Sequence, residues 1–91
     1  MEQRGEIGMR GRLGIAVTRI EDRMTADQAG YIRELIAADE WGLALEQIAD
    51  VLSEHEAGLR DDERDQLLAL NRRMGMGDRV PGALSLCPRI S

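Results

Sequence analysis

The sequence predicts an all-α fold, a small antiparallel bundle of about four helices with flexible termini, and three observations carry that prediction. Apolar residues recur at helical spacing in four successive stretches. Leu and Ala far outnumber Val and Ile, the residues that favour long strands. Capping and stop signals separate the stretches, while Phe is absent and Trp41 and Tyr31 are the only aromatics. At 91 residues the chain is one domain with a thin core.

Gly5, Gly8, Gly11 and Gly14 punctuate the start, so residues 1–11 are expected to form a flexible Gly-rich leader. Leu13, Ala16, Val17, Ile20 and Met24 then follow one helix face and predict a first helix over 12–23. Thr25-Ala-Asp-Gln28 reads as a capping box, in which the Thr hydroxyl accepts from the backbone and the Gln side chain reaches back. It opens a second helix over 26–38 with Gln28, Tyr31, Ile32, Leu35 and Ile36 inward; Gly30 weakens it by roughly 1 kcal/mol relative to Ala. Asp39 is the expected cap of a third helix over 40–55, whose stripe is Trp41, Ala44, Leu45, Ile48, Ala49 and Leu52. Trp41 belongs to that stripe and is expected to pack the second helix against the third.

Ala57-Gly58 breaks the pattern, and Asp61 is the expected N-cap of a fourth helix over 62–74. Asp62 and Glu63 suit the positive end of its dipole, and Arg72 and Arg73 the negative end. Leu67, Leu70 and Met74 face inward, and Gly75 stops the helix. Beyond Gly77 no periodicity survives, and Pro81, Gly82 and Pro88 forbid a long helix. Residues 12–75 are therefore read as the helical domain and 76–91 as a mobile tail, docking at most Val80 or Leu84. Short connections imply that neighbours in sequence pack together.

Charge is distributed unevenly. Fourteen Asp and Glu lie between Glu21 and Asp65 against four Arg (Arg23, Arg33, Arg60, Arg64), whereas both ends are basic and the whole carries −5. Every basic residue is Arg. An acidic block that also carries helical apolar spacing describes a folded surface suited to a basic protein rather than to nucleic acid. Its sharpest feature is Glu46, Asp50 and Glu54, aligned at i, i+4, i+8 on a helix without Lys or Arg. With Asp39 and Glu40 at the helix start, these carboxylates form the expected partner-binding set, and any exposed edge of Tyr31 serves as an aromatic anchor.

Other classes find little support. Paired catalytic carboxylates need one apolar and one polar environment, which a solvated stripe does not offer. His55, the only histidine, is flanked by Glu54 and Glu56 without metal-ligand spacing. No phosphate loop, dinucleotide fingerprint or CxxC pair occurs, so no enzyme activity, metal or cofactor is expected. The acids at the start of the fourth helix would repel phosphate, which argues against DNA. Cys87 is a lone cysteine, no apolar run approaches a membrane span of roughly 20 residues, and no signal-peptide core is seen; a cytoplasmic setting follows.

The segment Tyr31-Ile-Arg-Glu-Leu-Ile-Ala-Ala-Asp-Glu-Trp-Gly-Leu-Ala-Leu-Glu46 joins a helix, an Asp-Glu-Trp-Gly turn and an Ala-Leu-Glu helix. In this it resembles small helical immunity proteins of bacterial polymorphic toxin systems, of the MafI type. Ile48–Leu52, Asp61–Glu63 and Leu67 through Gly75 occupy the places of the family's later elements, so the resemblance covers residues 20–76. Arg60 stands where a Ser or Thr cap is usual, and the leader and tail have no counterpart. The resemblance implies inhibition by stoichiometric binding to a cognate toxin, commonly a nuclease with a basic cleft. A helical self-association or adaptor module, such as a homodimer, is the alternative; it requires no toxin partner.

Overall fold

Five helices form among residues 8–90, the residues described by this computed structural model: α1 (Met9–Ile20), α2 (Ala26–Ala37), α3 (Trp41–Glu54), α4 (Asp61–Arg73) and α5 (Arg79–Leu84). The all-α prediction holds. The Gly spacing does not delay α1, which takes in Gly11 and Gly14; residues 1–7 of the expected leader lie outside the described residues. Leu13, Ala16, Val17 and Ile20 are its buried stripe, and a 3-10 turn over Glu21–Arg23 ends it.

The Thr25 capping box is present on both sides. Gln28 N–H donates to the Thr25 hydroxyl at 3.1 Å, and Thr25 N–H donates to the Gln28 Oε1 at 2.9 Å. The other two expected caps are displaced. Glu40 takes the N-cap position of α3 without a side-chain bond, because Asp39 is drawn into the end of α2. Arg60, not Asp61, takes the N-cap position of α4, and the Glu63 carboxylate accepts its backbone N–H at 2.9 Å.

Three helices end in the same way. The pairs Asp39 N–H to Ile36 O and Glu40 N–H to Leu35 O close α2. Glu56 to Ser53 with Ala57 to Leu52, and Gly75 to Arg72 with Met76 to Asn71, close α3 and α4 in the Schellman pattern. That pattern puts the residue after the cap in the left-handed region: Asp39 at φ 61°, Glu56 at φ 47° and Gly75 at φ 65°. Only Gly75 adopts it without a Cβ penalty.

The most apolar helix, α3, is the hub. It buries Ala44, Leu45, Ile48, Ala49, Val51 and Leu52, and packs against all four other helices. α4 packs chiefly against α1 and α5 rather than against its sequence neighbour α3, which corrects the expected order. Leu67 and Leu70 of α4 join the common core, and polar ties run between α4 and the end of α1. Arg19 bonds Asp62 and Gln66, and Arg23 clamps the Glu63 carboxylate with both guanidinium nitrogens at 2.5 and 2.9 Å.

The segment after Gly75 is folded back onto the bundle rather than trailing from it. Val80, Leu84 and Cys87 are buried. Arg64 donates to Leu84 O at 2.5 Å and Cys87 O at 2.8 Å, satisfying carbonyls at the end of α5. Leu59 N–H bonds Pro88 O at 2.8 Å and Ile90 N–H bonds Leu59 O at 3.0 Å, a single parallel bridge. Ile90 lies over Gly58 so closely that a Cβ there would sit 2.6 Å from its Cγ2. Among the described residues no helix is long and apolar enough to cross a membrane.

Candidate protein-binding face

Internal ion pairs divide the expected acidic set. Glu40, the N-cap residue, and Glu54 stand at opposite ends of α3, fourteen residues or about 21 Å apart at helical rise. Between them, Glu46 and Asp50 turn towards α5 and share Arg79, whose guanidinium lies 2.6 Å from Asp50 and 3.7 Å from Glu46. The hydrogen bond to Asp50, reinforced by the charges of Asp50 and Glu46, raises the Arg79 pKa. Both acids are only about a third exposed, so the middle of the stripe already has its counter-ion. Asp39 is bonded by Arg10 from the start of α1 at 2.6 Å. Glu40 and Glu54 remain exposed and without an ion pair among the described residues.

Tyr31 turns outward, correcting its assignment to the inner face of the second helix. The buried stripe there is Ala29, Ile32 and Ile36, and Tyr31 sits about 100° around the helix from Ile32, half exposed. Asp27 and Glu34, four residues before and three after it, share its face. Both are exposed and unpaired. On α3, Leu43 is also half exposed.

Ion pairing sorts the acids. Seven described carboxylates lack an ion pair: Asp27, Glu34, Glu40, Glu54 and Glu56 in α2, α3 and their ends, and Asp65 and Asp78 elsewhere. Five of the seven unpaired acids thus belong to the α2–α3 hairpin and its ends, the hairpin that also exposes Tyr31 and Leu43. Sequence reasoning missed Asp27 and Glu34, although their spacing about Tyr31 was legible. It had no local signal for Arg79.

Glu63, expected at the positive end of the α4 dipole, is 2% exposed. The Arg23 hydrogen bonds, opposed by burial and aided by the Arg60 N–H, lower its pKa from 4.5 to about 2. This pair belongs to the fold rather than to a surface. Trp41 packs against the core from its margin and lines an open groove with Met9, Met74 and Met76; its Nε1 has no acceptor among the described residues.

Other reactive groups are not assembled into a site. His55 Nε2 lies 3.2 Å from Gln28 Oε1, an oxygen already engaged in the α2 cap. Burial pushes the Cys87 thiol up, with Arg64 opposing. Among the described residues no group of three or more His, Cys, Asp or Glu is placed to hold a metal ion. Comparison with protein families, curated proteins and solved structures finds no match.

Proposed function

We propose that this chain is an immunity-type inhibitor, a binding protein that neutralises a cognate toxin by covering a basic surface with its α2–α3 face. The observation that carries the reading is the concentration of unpaired carboxylates on that hairpin, which also leaves Tyr31 and Leu43 half exposed. Exposed carboxylates without internal partners are free to meet Arg or Lys, and they steer a basic partner at long range. Tyr31 and Leu43 add apolar area of the kind that anchors protein interfaces. The stretch that resembles MafI-type immunity proteins, Tyr31 to Glu46, runs through this hairpin. A nuclease is the favoured target class, since enzymes that hold phosphates have basic clefts. Binding of this kind needs neither cofactor nor metal, and it acts in the cytoplasm of the producing cell.

The contact set is then Asp27, Tyr31, Glu34 and Glu54, with Glu40 and Leu43 at its edge and Glu46 and Asp50 secondary. The test is purification of the tagged protein with its partner, followed by two double reversals of equal charge change. Glu34→Arg with Glu54→Arg should abolish capture of a toxic gene product encoded next door and end protection of cells that express it. Asp65→Arg with Asp78→Arg should leave both intact. Circular dichroism confirms that each variant is folded. Equal loss from both doubles would reduce the α2–α3 face to a net-charge effect, and a neighbouring gene product without toxicity would end the immunity reading.

A further inference from the structure

Where the start of α3 meets the end of α4, Met9, Trp41, Met74 and Met76 line an open groove of about 530 Å³. Leu43, 52% exposed, is part of its wall. The groove is charged on two sides: α3 supplies Glu40 and α4 supplies Arg73. Neither has an ion-pair partner among the described residues, whereas Asp39 beside them is engaged by Arg10. The apolar lining, the half-exposed Leu and two unpaired charges of opposite sign thus occur together.

We propose that this groove is a homodimer interface, in which a second copy of the chain packs across it about a two-fold axis. Arg73 of each copy then pairs with Glu40 of the other. The charges fit this occupant. A uniformly basic partner would satisfy Glu40 and oppose Arg73, and a uniformly acidic one would do the reverse. A second copy brings the inverse of both, as an isologous contact requires. Methionines repack readily around an incoming apolar edge, here the Leu43 of the other copy. A thin 91-residue core gains from the extra burial. This interface does not depend on the toxin-binding reading; it shares Glu40 and Leu43 with the edge of the α2–α3 face, while Asp27, Tyr31, Glu34 and Glu54 lie outside the groove.

Sedimentation velocity of the full chain from low micromolar to near-millimolar concentration is the test, with emission of Trp41, the sole Trp, as a second readout. The wild type should pass from monomer to dimer with rising concentration, with a blue shift as the groove closes. Glu40→Arg and Arg73→Glu should each weaken the dimer by at least about tenfold, because each sets like charges against each other. The combined exchange should restore it. Leu43→Asp, at a half-exposed position that leaves the core intact, should give a folded monomer. A wild type that sediments as a monomer throughout would overturn the proposal. So would single reversals that leave dimerisation unchanged, or a double exchange that fails to restore it.

Discussion

Glu63→Gln isolates the buried ion pair that joins α4 to the end of α1. The substitution keeps the shape of the side chain and removes its charge. Arg23, whose side chain is 16% exposed, then faces a neutral amide in place of a bidentate carboxylate. The Glu63 pKa is lowered from 4.5 to about 2, which through linkage corresponds to about 3 kcal/mol of stability at neutral pH. Removal of one member of a buried pair typically costs about 3–5 kcal/mol, so the two lines of reasoning agree. A chain of this size is stable by roughly 5–15 kcal/mol, so the loss is a large share. The sign is definite. A lowered folded-state pKa contributes stability that is fully present above 4.5 and is lost as pH falls from 4.5 towards about 2. Urea unfolding of both proteins between pH 7 and pH 2 measures it. The wild type should be about 3 kcal/mol more stable at pH 7, and the gap should shrink steadily at acid pH. Contributions from the other carboxylates are common to both proteins and cancel in the difference. A gap below about 0.5 kcal/mol at pH 7, or one that does not change with pH, would refute the assignment.

Four further outcomes follow from the packing. Glu56→Gly should raise stability by about 1 kcal/mol in thermal unfolding, since φ 47° strains a residue with a Cβ and not glycine. Gly58→Ala should cost about 1–3 kcal/mol through the clash with Ile90, and Ile90→Ala in the same chain should recover most of it. Arg64→Ala should release the two carbonyls at the end of α5 and speed thiol labelling of buried Cys87 by roughly tenfold or more, as hydrogen bonds to a charged group are worth about 1.5–3 kcal/mol. Arg79→Ala should leave thermal stability nearly unchanged while increasing the affinity and salt sensitivity of binding to a basic partner, because Glu46 and Asp50 become available.

What was legible in the sequence was local. The stripes of α1, α3 and α4, the Thr25 capping box and the Gly75 stop each depend on residues within one or two turns. Helix spacing is a property of such short stretches. Tyr31 shows the limit: it lies next to Ile32 in sequence, and a stripe drawn one residue too wide includes it. α5 escaped because six residues containing Pro81 and Gly82 are too few to display a period. What holds it lies far off in sequence: α3, on which it packs with Val80 and Leu84 buried, and Arg64 on α4. The same distance hid the role of Glu63. Asp61, Asp62 and Glu63 look alike as acids at a helix start, and only the fold brings Arg23 against the third.

This difference between near and far partners also explains why the candidate face moved. The i, i+4, i+8 carboxylates of α3 looked unrelieved because no base lies within that helix. Yet relief came from Arg79, on the element expected to be a tail. Internal pairing, rather than acidity, separates a carboxylate that supports the fold from one left for a partner. By that criterion Asp39, Glu46, Asp50 and Glu63 are engaged, and Asp27, Glu34 and Glu54 are not. The free acids lie on the two helices that also present Tyr31 and Leu43 to solvent. The proposed binding face therefore rests on unpaired charge and exposed apolar area found on the same hairpin, a coincidence that the acidic stripe alone does not provide.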